Sequence, residues 1–451
     1  MKKNEEYIVN IIDNGFQGEG IAKIDDITIF IPNCIKGEKV KAKILKVKSN
    51  IAYGKLLDIV ESSEFRTKKI DCDNFAKCGG CSLRHIDYNY TLDMKKNSAQ
   101  NTIKKALGKD INIDEVIKME VPFYYRNKLQ YPIGIDKHGN YKMGTYVSRT
   151  HDIIQIDNCL IQDKLIQKIA NDIFAFIKNE KIEVYNEKEL VGGIRHLIIR
   201  IGKKTNEVLV TIVTNSRKIK KEKELIEYIT GKYSEIKTIV KNINTNNTNV
   251  ILGNENTILF GDGYIYDYIG DFKFKISAMS FYQVNPIQTE KLYSRAIEYA
   301  ELTGKETIFD LYCGIGTIGI CASKNVKKLY GIETIKDAIE DAKENAKINN
   351  ITNAEFFAGD VEKILPEFIE KNKINPDVVF LDPPRKGCDK VAIDTLLKIK
   401  SKKIVYISCN PASLARDLKL LSESYEIKKI SICDMFPYTS HVESICIMER
   451  K

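Results

Sequence analysis

Cys409 closes the apolar run Lys403-Ile-Val-Tyr-Ile-Ser408 and is followed at once by Asn410-Pro411, where proline ends the ladder of strand hydrogen bonds. A thiol at the carboxyl end of a parallel strand stands where α/β sheets gather their chemistry. Alone, such a cysteine is more often a small buried apolar residue than a nucleophile. Its company changes the reading. Asp310-Leu-Tyr-Cys-Gly-Ile-Gly316 lies upstream, Asp382-Pro-Pro-Arg385 precedes it and Glu443 follows it. Acids at strand ends, a glycine turn and a thiol together describe a cofactor site and a covalent catalyst on one sheet.

The elements that must position these residues alternate strand and helix over the last 180 residues or so, the mark of a doubly wound α/β unit. Residues 307–312 read as a strand, 313–316 as a tight turn and 317–325 as the following helix. Glu333 ends the next strand, where a carboxylate can accept both hydroxyls of a ribose. Asp360 ends the third, where an adenine amino group can be read. Three acids at successive strand ends (Asp310, Glu333, Asp360) favour a nucleoside ligand over three separate structural roles. The last two strand-like runs, 426–433 and 442–448, are joined by Asp434-Met-Phe-Pro-Tyr-Thr-Ser440 and read as a hairpin rather than another strand–helix unit. An antiparallel last strand is the pattern of class I methyltransferases and is unusual in dehydrogenases, so S-adenosylmethionine is the expected cofactor.

A second group of chemical residues lies in a polar, glycine-rich loop, Cys72-x5-Cys78-Gly-Gly-Cys81. The loop lacks the apolar periodicity of a buried element, so core packing does not account for three cysteines there. Their spacing suits thiolate ligation of a metal centre, with Cys159 the best fourth ligand. Zinc and a [4Fe–4S] cluster both accept four thiolates, and ligand type does not choose between them. Cys34, Cys321, Cys433 and Cys446 lie in apolar contexts that read as packing, and Cys313 and Cys388 show no base partner.

The chain of 451 residues implies two or three domains. No apolar run approaches the roughly 18 residues that span a bilayer, so no membrane partner is expected. The N-terminus carries no signal-peptide pattern, which places the protein in the cytoplasm, where eleven cysteines serve as ligands, catalysts or buried thiols rather than disulfides. The net charge of +9 is compatible with a polyanionic partner. The first 60 residues read as a small β-barrel with short strands near 7–12, 27–31, 38–47 and 52–60. Lys39, Lys41 and Lys43 alternate along one strand face, which suits either a phosphate backbone or a solvated edge strand guarded by lysines. The Gly18-Glu-Gly-Ile-Ala-Lys23 turn and the strand after it resemble the TRAM domain, a small RNA-binding barrel, and that favours the first alternative. A lysine-rich helix is predicted over 88–107, Tyr124-Tyr-Arg-Asn-Lys128 interleaves aromatic and basic residues, and helices are predicted over 163–180 and 218–230. A hairpin fits 193–214, and 242–249 reads as an Asn/Thr loop.

Over essentially its whole length the chain resembles RNA uracil-C5 methyltransferases of the 23S ribosomal RNA group. The TRAM-like start, the cysteine set, Tyr125-Arg-Asn-Lys128, Phe281-Tyr-Gln-Val-Asn-Pro286, the Asp310–Gly316 turn, Asp382-Pro-Pro-Arg-Lys-Gly387, Ser408-Cys-Asn-Pro411 and His441-Val-Glu-Ser444 carry the likeness. It implies a multidomain monomer: a TRAM barrel (1–60), a central α+β domain with a four-cysteine cluster (61–270) and a class I α/β methyltransferase domain (271–451). It implies a [4Fe–4S] cluster on Cys72, Cys78, Cys81 and Cys159, and S-adenosylmethionine near Gln283, Tyr312, Thr317, Glu333, Asp360 and Asp382. Relatives often carry Asn where this chain has Thr317. The implied activity is methylation of uracil C5 in 23S ribosomal RNA, with Cys409 as covalent catalyst and Glu443 as base; His441 is the competing base. A transfer RNA enzyme is the alternative within the family, although those enzymes typically lack both the barrel and the cysteines. An RNA-binding protein with an inactive methyltransferase fold is disfavoured by the presence of Cys409 and Glu443. Methylation of an exocyclic amine needs no such thiol.

Overall fold

The computed structural model describes residues 1–147, 150–187 and 189–451. Six strands near the N-terminus form one sheet that wraps around Val9, Ala22, Ile29, Ile31, Val40, Ala42 and Ile44. Lys39–Val47 lies between Glu6–Asn10 and Ile51–Glu61, and Ile27–Ile31 joins Ile51–Glu61 in parallel. Lys39–Val47 is therefore an interior strand, which removes the guarded-edge reading of its lysines. Gly20–Ile24 is a strand where the sequence suggested only a turn. A Cβ on Gly20 would stand 2.6 Å from the Cys34 Cβ, so this glycine serves close packing rather than reversal.

The central sheet has seven strands, in the order Ile153–Gln155, Tyr141–Tyr146, Lys128–Ile135, Ile194–Ile201, Val208–Thr214, Ile236–Ile243 and Glu255–Phe260. Helices Lys164–Asn179 and Glu222–Lys232 bury Ile166, Ile173, Ile177, Leu225 and Ile229 in its core. The Asn/Thr stretch expected to be a loop from residue 242 begins inside a strand. Buried Asn242 earns its place there because its side chain donates to Gly253 O (2.9 Å) and accepts from Gly253 N–H (2.8 Å).

The C-terminal sheet has eight strands. From one edge they run Ala354–Ala358, Lys328–Glu333, Thr307–Leu311, Val378–Leu381, Lys403–Ser408, Glu443–Arg450, Tyr425–Cys433 and Glu115–Ile117. The first five are parallel, and Glu443–Arg450 is antiparallel to both neighbours, as the terminal hairpin required. All four residues of Val378–Leu381 are buried, as a strand covered on both faces demands.

Two features depart from the expected division at residues 60 and 270. Helix Tyr88–Leu107, capped by the Asp87 carboxylate at about 1 kcal/mol, buries Ala99 and Ile103 among Leu414, Leu418 and Ile432 of the C-terminal unit. Strand Glu115–Ile117 then extends the C-terminal sheet at its edge. The boundary at 270 falls on the turn of hairpin Tyr264–Ile269/Phe272–Ser277, whose Ile265, Phe274 and Ile276 join the same core as Leu292, Ile315 and Ile318. Residues 88–117 and 264–277 thus pack as part of the C-terminal body. Among the described residues no helix is long and apolar enough to cross a membrane.

Candidate active site

Strand register sets the first group of residues side by side. Leu311 pairs with Ile332 on one side and Leu381 on the other, so the next residues, Tyr312, Glu333 and Asp382, emerge abreast at the carboxyl ends. Glu333 accepts from Gly314 N–H (3.1 Å) and Ile335 N–H (2.9 Å), which fixes its carboxylate against the glycine turn. Gly314 sits at φ 56°, and no protein atom lies within 4 Å of where its Cβ would be. That is the open cradle a ligand backbone-to-backbone approach requires. Tyr312 holds the left-handed region at φ 63°, a strain of order 1–3 kcal/mol for a non-glycine residue, and its hydroxyl donates to Glu362.

Asp310 lies beneath the turn, fully buried. Its Oδ2 accepts from Gly319 N–H (2.8 Å), and Oδ1 has no protein partner. Burial, with the Asp382 and Glu333 charges adding, pushes its carboxyl up to about 7. Gly319 is required for that approach, since a Cβ there would stand 2.8 Å from Asp310 Oδ2. An orphaned carboxyl oxygen, an empty glycine cradle and neighbouring acids fit a nucleoside ligand that carries amino and sulfonium cations, which is the chemistry of S-adenosylmethionine. Ile335, 62% exposed beside Glu333, offers an apolar surface for a base that the sequence reading missed. The other expected contacts are less free. The Thr317 hydroxyl is shared with Tyr293 (3.1 Å), and Asp360 is paired with Lys363 (2.8 Å). Gln283 lies on a segment held from the central sheet: Asn127 Nδ2 donates to its carbonyl (3.0 Å), and buried Arg200 donates to Ser280 O and Tyr282 O.

The second group faces the first. Ser408 pairs with Ser444 across the antiparallel ladder, so Cys409 and Glu443, one step further, stand opposite each other. Cys409 is half-buried and Glu443 only 4% exposed. Burial and the nearby Asp382 charge hold the Glu443 carboxyl well above the usual range, with Arg385 opposing them. Asp382 is half-buried as a residue with its carboxyl enclosed, and burial pushes it up to about 7. The Cys409 thiol is raised by burial, then by Glu443 and Asp382, while the Arg385 charge lowers it. The Arg385 guanidinium also meets His441 Nδ1 at 2.8 Å. That ring nitrogen accepts, so His441 is neutral and its Nδ1 is occupied.

The loop that delivers Glu443 is held from outside its own sheet. Lys95 and Asp434 form a buried ion pair (2.5 Å) that Tyr88 joins at 2.8 Å; removing one partner costs about 3–5 kcal/mol. Tyr438 sits at φ 62°, and its carbonyl accepts from Ser82 N–H (3.1 Å) and Leu83 N–H (3.0 Å). Arg84 lies over its ring at 4.5 Å. The segment directly after Cys81 therefore anchors the approach to Glu443, a link of more than 350 residues in sequence that no local pattern announces.

Cys72, Cys78, Cys81 and Cys159 line one cavity of about 350 Å³, together with Arg84, Arg126 and Lys128. Among the described residues no three His, Cys, Asp or Glu side chains converge as they would around a single metal ion. Cys78 Sγ accepts from Gly80 N–H (3.3 Å) and the Thr145 hydroxyl (3.2 Å), and the Cys159 carbonyl accepts from Gln162 N–H (3.2 Å). Burial, followed by the Cys159 thiolate, pushes Cys81 up to about 12, a penalty that a bound cation removes. Burial together with the Arg200 and Arg126 charges lowers Lys128 to about 8.

Residues 87–451 match the family described as tRNA (Uracil-5-)-methyltransferase, and residues 2–57 match the TRAM domain. The chain is 49% identical over 455 residues to an uncharacterized RNA methyltransferase of Clostridium acetobutylicum, covering 100% of this chain and 98% of that protein. A similarly named protein of Clostridium tetani is 44% identical over 449 residues, covering 99% and 97%. Among solved structures, the tRNA (uracil-54, C5)-methyltransferase of Pyrococcus abyssi in complex with S-adenosyl-L-homocysteine is similar at a TM-score of 0.79 and 29% identity, covering 98% of this chain and 99% of that one. A transfer RNA enzyme thus shares the architecture nearly end to end, so the N-terminal barrel does not separate ribosomal from transfer RNA enzymes.

Proposed function

This chain belongs to the tRNA (uracil-5-)-methyltransferase family, and from that premise we propose that it methylates C5 of a uracil in 23S ribosomal RNA through a covalent adduct on Cys409. The observation that carries the reaction is the placement of Cys409 opposite buried Glu443, with Asp382 and Arg385 at the same strand ends. S-adenosylmethionine, when bound at the Gly314 turn, supplies one electrophilic methyl group and leaves with the electron pair. Uracil C5 is a weak nucleophile until Cys409 Sγ adds to C6, which sends the C5=C6 pair toward the C4 carbonyl oxygen. Asp382, enclosed and near neutrality, can accept from uracil N3–H and donate to a ring carbonyl. After C5 is methylated, Glu443 removes its proton, the C5=C6 bond re-forms, and the C6–S pair returns to sulfur. A carboxylate in so dry a site is a strong base once ionised. His441 is the weaker candidate, because Arg385 occupies its Nδ1. The uridine must be extruded from its stack to expose C5 and C6.

The choice of ribosomal RNA rests on the motif set that resembles that group. The full-length likeness to a transfer RNA enzyme favours a second reading, in which the substrate is a transfer RNA uridine. Mapping 5-methyluridine in both RNAs from cells with and without the protein decides between them. We expect one or more sites to vanish from 23S ribosomal RNA while transfer RNA is unchanged; the reverse pattern establishes the second reading. The cytoplasm, where such RNA is made in a bacterium, is the proposed compartment.

For the cysteine cavity we propose a [4Fe–4S] cluster. The four thiols around one cavity and the two donors on Cys78 Sγ support it. Anaerobically purified protein is expected to be brown and to carry stoichiometric iron and sulfide. Stoichiometric zinc without iron in the same preparation rejects the cluster.

A further inference from the structure

Arg385 lies in the Asp382-Pro-Pro-Arg loop, and the mechanism above leaves it without a task. Three observations give it one. Its guanidinium meets His441 Nδ1 at 2.8 Å, its charge lowers the Cys409 thiol against the two carboxyls, and its own carbonyl accepts from Asn410 Nδ2 (3.0 Å). The arginine is thus tied to residues on both sides of the catalytic thiol, and its neighbour Asn410 is at the same time the cap of helix Pro411–Leu421. The charged groups that face Cys409 come from three elements: Asp382 and Arg385 from the loop after Val378–Leu381, Glu443 from the terminal hairpin, and His441 just before it. His441 is neutral in this arrangement, and either carboxyl opposes a thiolate whenever it is ionised. Arg385 supplies the balancing charge.

We propose that Arg385 is a positioning residue that serves two anions in turn: held in place by His441, it stabilises the Cys409 thiolate before addition to uracil and the Glu443 carboxylate afterwards. The inference deepens the reading of Cys409 as covalent catalyst and rests on it. The sequence of charges makes the sharing workable. Before addition, the negative charge is on Sγ and Glu443 holds its proton. Once Sγ is bonded to C6 it is a neutral thioether, and the guanidinium no longer has a thiolate to neutralise. Its field then falls on Glu443, which must lose its resting proton to solvent before it can take the C5 proton. On elimination the electron pair of the C6–S bond returns to Sγ, Glu443 is protonated by the proton from C5, and Arg385 again faces the thiolate. No proton or electron passes through Arg385 itself. Its side chain is open to solvent in the free protein, so its effect on the thiol is smaller than that of a buried ion pair.

The test reads the thiol directly. Anaerobic alkylation of Cys409 by iodoacetamide, followed by peptide mass spectrometry to separate it from the other ten cysteines, gives a rate against pH for the wild type, Arg385→Gln, Arg385→Lys and His441→Ala. The midpoint is expected to rise by about one unit in Arg385→Gln, to recover in part in Arg385→Lys, and to rise by less in His441→Ala. Glu443-dependent release of the covalent RNA complex should also slow in Arg385→Gln. Arginine kept only for an RNA phosphate predicts weaker RNA binding with an unmoved midpoint, and that result overturns the proposal. Should Arg385→Gln fail to fold, as judged by S-adenosylhomocysteine binding, an unmoved midpoint in both Arg385→Lys and His441→Ala does the same. If instead the wild type forms no covalent complex with 5-fluorouridine RNA, it is the Cys409 mechanism that fails, while the pH midpoints still report on Arg385.

Discussion

Cys409→Ala protein is expected to methylate no RNA and to form no covalent RNA complex, with turnover lower by a factor on the order of 10³ or more. The reason is electronic. Without addition at C6 the C5 carbon stays a poor nucleophile, and none of Asp382, Arg385 or Glu443 can make it a better one. The same substitution should leave the fold nearly untouched, because Cys409 is half-buried and lies just past the end of its strand rather than filling the core. Its effect on stability should stay within about 1 kcal/mol. S-adenosylhomocysteine should bind as before, since Asp310, Glu333 and the Gly314 turn are unchanged. Loss of activity together with loss of ligand binding would instead mean that the variant had disturbed the sheet.

Glu443→Gln should have the second-largest effect, slowing turnover by about 10²–10⁴-fold while allowing both addition and methyl transfer. The adduct then accumulates, because the C5 proton has no base to accept it. The amide suits the site, since burial already favours the neutral form of Glu443. The pH dependence has a defined sign. A carboxyl whose folded value is raised binds its proton more tightly in the native than in the unfolded chain, so stability falls as pH rises above the unfolded value of about 4.3. Asp310 and Asp382, both near 7, contribute in the same direction until the pH passes their folded values. Melting temperature measured from pH 5 to pH 8 should therefore fall less steeply in Glu443→Gln than in the wild type. Equal slopes would mean that Glu443 is ionised at rest.

The strand ends that carry the candidate site were legible because residue type and strand boundary coincide there. A thiol, an Asp-Pro-Pro and a Gly-x-Gly each sit just where an apolar run stops. The terminal hairpin was legible for a similar reason, since two β-rich runs are separated by a segment too short for a helix. What local pattern did not disclose is set by distant packing. Helix Tyr88–Leu107 was predicted at its observed limits, yet its attachment to the methyltransferase sheet depends on Ala99 and Ile103 meeting residues more than 300 positions away. Lys39, Lys41 and Lys43 do alternate outward, but two of them are already paired, Lys39 with Glu61 (3.2 Å) and Lys41 with Glu6 (2.8 Å). Charge counting along the strand could not see acids brought in from its neighbours. The Arg385–His441 contact and the hold of Ser82 and Leu83 on Tyr438 likewise join segments far apart in the chain.

The central claim is that one thiol carries the uracil while one carboxylate releases it. Intact-mass measurement of Glu443→Gln protein incubated with S-adenosylmethionine and a uracil-containing substrate RNA tests it most directly, with digestion to locate the link. A stable complex of protein plus RNA plus one methyl group, joined at Cys409, is expected. Free 5-methyluridine RNA released at the wild-type rate, or a link at any other cysteine, would contradict it.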